Sequence, residues 1–367
     1  WIGSDLERYV NRLEPFAIPT PSEEALAIHD GSFVVDLHAD TLMFGRDLLV
    51  RGEVGHVDLP RLQEGGVGLQ FFTAPTRTPF GIDIHRTHAD AIDLMTVATF
   101  AQRSPMASMG ALDRAFHQAR QLEDAIARSD GALVAIRSRA DLDALIARRR
   151  DDPTVVGALF GLEGAHALEG NPDNFDRLFE AGVRMIGLAH FFDNEFAGSA
   201  HGIERGGLTA KGRDLVTLME EHGVIVDLAH LSPAAIDDVL AMAKRPTLIS
   251  HGGVRATCDN PRNLSDEHVR AVAAGGGVIG IGFFELAVCG NKPRHIVAAM
   301  RHVIELVGDD HVALGSDYDG GITTTFDASQ LRGLTQQMID EGLPPESIRK
   351  ILGANAVRVL RRTLPRR

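Results

Sequence analysis

Phe33-Val34-Val35-Asp36-Leu37 runs straight into His38-Ala39-Asp40, so a short apolar stretch with β-branched residues ends on two side chains able to bind a metal. A run of this kind reads as a strand buried on both faces. The pattern recurs along the chain. Val155-Val156-Gly157-Ala158-Leu159-Phe160 leads to Glu163, Val183-Arg184-Met185-Ile186-Gly187-Leu188 to His190, and Val224-Ile225-Val226-Asp227-Leu228 to His230. Thr247-Leu248-Ile249 leads to His251 and Val312-Ala313-Leu314 to Asp317. Residues 67–73 and 277–283 add two more apolar runs, which brings the expected strands to eight. Helical patterns at 173–179, 212–222, 233–242, 266–273 and 293–307 alternate with them, the third opened by Ser232 as cap and Pro233 in the first turn. This alternation predicts an α/β protein, a (β/α)8 TIM barrel, whose chemistry sits where the strands end.

The rest of the chain fits around that barrel. Its 367 residues show no internal repeat, low-complexity tract or Pro/Ser linker, so a single domain over 1–367 is expected. The stretch from about Pro75 to Pro153 carries helical spacing at 89–102, 112–128 and 141–150, and reads as a helical insert after strand two, packed outside the barrel. The flanks 1–30 and 333–367 read as helical, with amphipathic spacing at 5–13 and 345–360. A net charge of −13, from 37 basic and 50 acidic residues, argues against nucleic acid or an anionic membrane surface as partner. No uncharged apolar stretch reaches the roughly 18 residues of a spanning helix. Monomer and homodimer are both compatible with the sequence.

The side chains at the strand ends have a common chemistry. Imidazole nitrogens together with carboxylate oxygens suit Zn²⁺ and related ions better than Ca²⁺ or Mg²⁺. His38 and Asp40 stand two residues apart on a strand and point the same way. Glu163 lies between Gly161 and Gly164, and its two oxygens suit a bridge between two metals about 3.5–4 Å apart. Any one such residue is more often a hydrogen-bonded structural side chain than a ligand. Six of them at six strand ends of one barrel point instead to a metal centre.

In the order and spacing of its motifs, the chain resembles the membrane (renal) dipeptidase family of zinc dipeptidases, a branch of the amidohydrolase-like barrels. The resemblance rests on Asp36-Leu37-His38-Ala39-Asp40-Thr41, Gly161-Leu162-Glu163-Gly164-Ala165-His166, Gly207-Leu208-Thr209 and Val226-Asp227-Leu228-Ala229-His230-Leu231-Ser232. It continues through Ser250-His251, Cys258-Asp259-Asn260-Pro261-Arg262-Asn263, Gly315-Ser316-Asp317-Tyr318-Asp319-Gly320 and Gly353-Ala354-Asn355-Ala356. It implies two zinc ions per chain: His38 and Asp40 on one, His230 and His251 on the other, Glu163 bridging, and a shared hydroxide as nucleophile. It also implies that His190 stabilises the oxyanion or contacts the scissile carbonyl. Asp317 would shuttle a proton to the leaving amine beside the substrate's amino group, and Arg262 would hold the free carboxylate of a dipeptide substrate. His166 and His201 are assigned supporting roles near the mouth.

The chain departs from the family pattern in places. Ala39 stands where the first motif commonly has Asn, Leu286 where some relatives have Tyr, and Phe191-Phe192 suggests an apolar wall beside the substrate. Two other readings stay open. Another amidohydrolase-type enzyme, such as a lactonase, deaminase or phosphotriesterase, would usually carry His-x-His after strand one, against which His38-Ala39-Asp40 speaks. A family member that binds or tailors without peptidase turnover is the other. Cys258 and Cys289 follow strands six and seven, and the resemblance implies that some secreted relatives bridge this pair. Two free thiols in a cytosolic enzyme are nearly as well supported. An even pair and a chain without an initiator Met tilt the expectation slightly toward a disulfide and a periplasmic or secreted protein.

Overall fold

The computed structural model describes residues 7–81, 83–88, 90–101 and 104–367. Eight parallel strands form its centre: β1 (Val34–Ala39), β2 (Val67–Pro75), β3 (Val156–Glu163), β4 (Val183–Gly187), β5 (Ile225–Asp227), β6 (Leu248–Gly252), β7 (Val278–Ile281) and β8 (Val312–Leu314). Each pairs with its neighbour in chain order, and Leu314 of β8 pairs with Asp36 of β1, which closes the ring into the (β/α)8 barrel. Every residue of these strands is buried, which is why they read as continuous apolar runs. Neighbouring side chains still part company, as the pleat requires: Val34 joins one apolar cluster, and Val35 another that takes a residue from each barrel strand.

The crossover helices begin where their caps are written. Ser232 accepts a hydrogen bond from Ala235 N at the start of Pro233–Met242, Ser265 from His268 N at Asp266–Ala274, and Thr209 from Gly212 N at Ala210–His222. Near the C-terminus the helical stretch from 345 onward is interrupted at Gly353. A Cβ there would lie 1.8 Å from the carbonyl oxygen of Phe33, so this glycine lets the turn press against the entrance of β1.

Three expectations change. Arg12–Leu13 is extended, not helical, because it pairs in parallel with Thr323–Thr324, and Asn11 Oδ1 accepts a bond of 2.9 Å from Gly321 N. The tertiary pairing overrides the amphipathic spacing there. The start of that expected helix, residues 5 and 6, and the ends of the one at 89–102 lie outside the described residues. Leu133–Ala135 is an added short strand alongside Val156–Ala158, too brief to show a period in the sequence. The insert contains the helices Leu94–Ala101, Ala111–Arg128 and Arg139–Arg148, but it is not wholly outside the barrel. Thr78, Ile84, Leu94 and Met95 line the cavity at the mouth, where their apolar atoms find cover, and Thr87 N bonds to His201 O at 2.7 Å. Among the described residues no helix is long and apolar enough to cross a membrane.

Candidate active site

Pleating sends His38 and Asp40 from the end of β1 toward the same cavity, where Thr73 of β2 donates a hydrogen bond of 2.7 Å to Asp40 Oδ1. Glu163 is the last residue of β3. The next residue, Gly164, turns with φ +93°, and a Cβ on it would sit 2.7 Å from His166 Nδ1. His230 and Asp317 hold left-handed backbones, φ 64° and 62°, which cost non-glycine residues of order 1–3 kcal/mol and gather at functional sites. His251 lies within β6 and His190 just past β4.

These side chains converge on Glu163. Its Oε1 is 3.0 Å from His230 Nε2, 3.3 Å from His251 Nε2 and 3.7 Å from His38 Nε2, and its Oε2 is 3.3 Å from His190 Nε2. His38 Nε2 is also 3.4 Å from Asp40 and 3.9 Å from Asp317. The Nε2 atoms of His230 and His251 face each other at 3.0 Å. His38 Nε2 is buried with no hydrogen-bond partner among the described residues. Buried nitrogen lone pairs aimed at one another and at carboxylates suit a cation between them. Three sets of ligand atoms are compact enough to share an ion: His38, Glu163 and His251; Glu163, His190 and His230; His38, Asp40 and Asp317.

For three of the four imidazoles the electrostatics agree with that use, while His38 holds a proton among three carboxylates, where a metal cation would have to take the proton's place. Burial holds His190, His230 and His251 well below the usual imidazole range, which keeps them neutral and able to donate a lone pair. His38 is pushed up to about 10, since burial, which lowers it, is outweighed by Asp40, Glu163 and Asp317. Burial raises Glu163 well above the carboxylate range, and Asp317 to about 7.

Arg262 approaches from the loop after β6 and is buried. Its Nη1 donates to His251 O at 3.3 Å, its Nη2 is 3.4 Å from His230 Nε2, and its guanidinium lies 5.1 Å from the centre of the Phe284 ring. The Cys258–Cys289 disulfide ties that loop to the segment after β7, as does Asn263, which donates to Ala287 O at 2.9 Å. The cavity, of about 300 Å³, is lined by Asp40, Glu163, His190, His230, His251, Arg262 and Asp317 among others, whereas His38 is fully buried and not part of its lining. His201 Nε2 sits 3.1 Å from His230 Nδ1, and His166 packs edge-on against Phe192.

Other polar residues, most of them quoted within the sequence motifs but given no role there, hold this arrangement. Ser250 Oγ donates to Asp227 at 2.6 Å and lies 2.9 Å from His251 Nδ1 and 3.1 Å from His38 Nδ1. Ser316 donates to Asp36 from both its N and Oγ, and Asp319 accepts from Thr41, Arg46 and His56. The available signal was a carboxylate inside an apolar run, at Asp36 and Asp227, since such a group needs donors of its own.

A closed parallel barrel that buries four imidazoles and three carboxylates around one cavity at its C-terminal face has the make-up of a metal-dependent hydrolase. The sequence profile of the membrane dipeptidase family, peptidase family M19, matches residues 22–365, and the chain belongs to that family. It is therefore a member of a group of metal-dependent, dipeptide-cleaving hydrolases. It is 29% identical over 314 residues to the dipeptidase verJ of Clonostachys rogersoniana, covering 84% of this chain and 76% of that protein. A metallopeptidase of Rhodobacter sphaeroides, solved with a phosphinate mimic of the dipeptide L-Ala-D-Ala, superposes with a TM-score of 0.73 at 25% identity, over 90% of this chain and 99% of that one. The probable dipeptidase PvdM of Pseudomonas aeruginosa shares the fold, with a TM-score of 0.75 at 20% identity, over 94% and 98% of the two chains.

Proposed function

We propose that the protein is a binuclear zinc dipeptidase, a single metallohydrolase domain that cleaves dipeptides with free termini. The observation that carries this reading is Glu163, whose Oε1 faces His38, His230 and His251 at 3.0–3.7 Å, between the two ligand sets. His38 and Asp40 would hold one ion, His230 and His251 the other, and Glu163 both. Zinc bound there supplies Lewis acidity and a water acidified toward neutrality.

The chain's own groups supply the rest. Asp317, on the cavity wall 3.9 Å from His38 Nε2, takes the proton from the attacking water and returns it to the departing amine. His190 Nε2 turns toward the scissile carbonyl. Arg262 offers a planar fork to the substrate carboxylate. With Asp317 reading one end and Arg262 the other, a cavity of about 300 Å³ holds little more than two residues between them. The Cys258–Cys289 bridge supports an oxidising compartment, periplasmic or extracellular.

Turnover of free L,L and L,D dipeptides by zinc-loaded protein tests the reading, alongside N-acetylated and C-terminally amidated counterparts. Cleavage of the free dipeptides that stops on chelation and returns with zinc is expected. No turnover of any dipeptide by fully zinc-loaded protein would overturn the proposal and favour a binding or tailoring role.

A further inference from the structure

The N-terminal segment reaches the active site by a route that its sequence hid. Arg12–Leu13 pairs with Thr323–Thr324 in the loop that follows Asp317, and Arg12 N bonds to Ile322 O at 3.1 Å. Asn11 donates to Asp319 O and accepts from Gly321 N, so its side-chain amide is used at both ends. Glu7 pairs with Arg46 at 2.6 Å, and the same guanidinium reaches Asp319 at 2.7 Å. The segment is thus fastened at several points to the loop that carries Asp317. What it brings to the cavity is Val10, which lines the wall with Met43, Phe44 and Ile322.

That wall has a definite chemistry. Met43, Phe44, Val10 and Ile322 are apolar, and the charged lining nearest in the chain is Asp317 and Asp40, both acidic. Among the described lining residues the only Arg or Lys is Arg262, which belongs to the loop after β6. On the proposed reading the substrate's amino group faces Asp317, and the adjoining side chain then falls on this wall.

We propose that Val10, with Met43, Phe44 and Ile322, forms the pocket for the side chain of the substrate's N-terminal residue, and that it selects apolar side chains. A carboxylate side chain there would lose its hydration and find no hydrogen-bond donor or cation on the side chains of Val10, Met43, Phe44 or Ile322, so the cost of burying it sets the preference. The inference rests on the dipeptidase reading and adds the substrate class.

The test is steady-state kcat/KM of the zinc-loaded full chain on Leu-Gly, Ala-Gly, Lys-Gly and Asp-Gly, with Gly-Leu and Gly-Ala as controls for the other end. Leu-Gly is expected to exceed Asp-Gly by about 10-fold or more. Val10→Asp is expected to lower Leu-Gly by about 10-fold and raise Lys-Gly relative to it. Val10→Phe fills the pocket instead and is expected to favour Ala-Gly over Leu-Gly, while the ratio of Gly-Leu to Gly-Ala stays put in both variants. Preserved ratios among the four substrates in both variants, or an equal loss on every substrate, would overturn the inference and leave the dipeptidase reading standing. No cleavage of any dipeptide by the unaltered chain would overturn both.

Discussion

Asp36 and Asp227 are buried as deeply as Glu163 and Asp317, at 2%, 2%, 4% and 7% exposed, yet the two pairs face different company. Asp36 accepts hydrogen bonds from Gln70 Nε2, Ser316 N and Ser316 Oγ at 2.7–2.8 Å, and Asp227 from Ala229 N, Ser250 N and Ser250 Oγ at 2.6–3.0 Å. Burial raises both carboxyls and these donors pull them back. Glu163 and Asp317 instead look toward imidazole nitrogens and Arg262. A buried carboxylate supplied with its own donors is a brace, whereas one set among buried imidazole nitrogens can share a bound cation with them. The inner pair therefore braces the ring of candidate ligands to which the outer pair belongs.

The sharpest way to break this contrast is on the outer side. Asp317→Asn is expected to lower kcat by about 10²-fold or more with zinc content unchanged, as for loss of a general acid–base group. A variant that kept the parent kcat would put Asp317 among the braces. Ser250 joins the two levels, since it donates to Asp227 and touches both His38 and His251. In a chelator competition Ser250→Ala should bind zinc about 10–100-fold more weakly. It should also unfold at lower urea, by about 1–3 kcal/mol, because Asp227 loses a donor. Unaltered zinc affinity would show that the inner level does not tune the outer one.

Much of the outer level was legible in the sequence. Each ligand-type residue follows an apolar strand run, and period-two alternation sets His38 and Asp40 side by side. The inner level was harder to read, because Ser250, Ser316 and Gln70 look like ordinary strand residues until the closed barrel brings them to Asp227 and Asp36. At the N-terminus residues 7–10 are helical as the spacing predicts, and only the end of the expected helix departs from it, for a related reason. Residues 5–13 carry helical spacing, but the pairing of Arg12–Leu13 with Thr323–Thr324 joins positions about 310 apart, which no local period reveals.

Smaller effects refine the picture at residues other than the candidate ligands. Arg262→Met should raise KM about 10-fold and treat free and C-terminally amidated dipeptides alike, with zinc content intact. If the variant discriminated between them as the parent does, the carboxylate clamp would be elsewhere. His29 serves as a reference for burial without a metal role. Its ring nitrogens bond Thr335 Oγ1 and Gly65 O, each at 2.8 Å, and burial lowers its pKa from 6.5 to about 4. The folded state keeps this imidazole neutral while the unfolded chain protonates it below 6.5. Its contribution, about 3 kcal/mol, is present at neutral pH and lost as pH falls from 6.5 through 4. Urea unfolding across that window should be less pH-dependent for His29→Gln than for the parent, and equal slopes would rule this account of His29 out.

The most direct test of the outer level is a metal count on the zinc-replete protein, set beside that of Glu163→Gln and beside dipeptide hydrolysis by both. Two tightly held zinc ions per chain are expected in the parent, and fewer in the variant with most of the activity gone, because a neutral amide is a poor bridge between two cations. One zinc per chain with full activity, or two zinc ions and parental activity in Glu163→Gln, would contradict the bridging role on which the account rests.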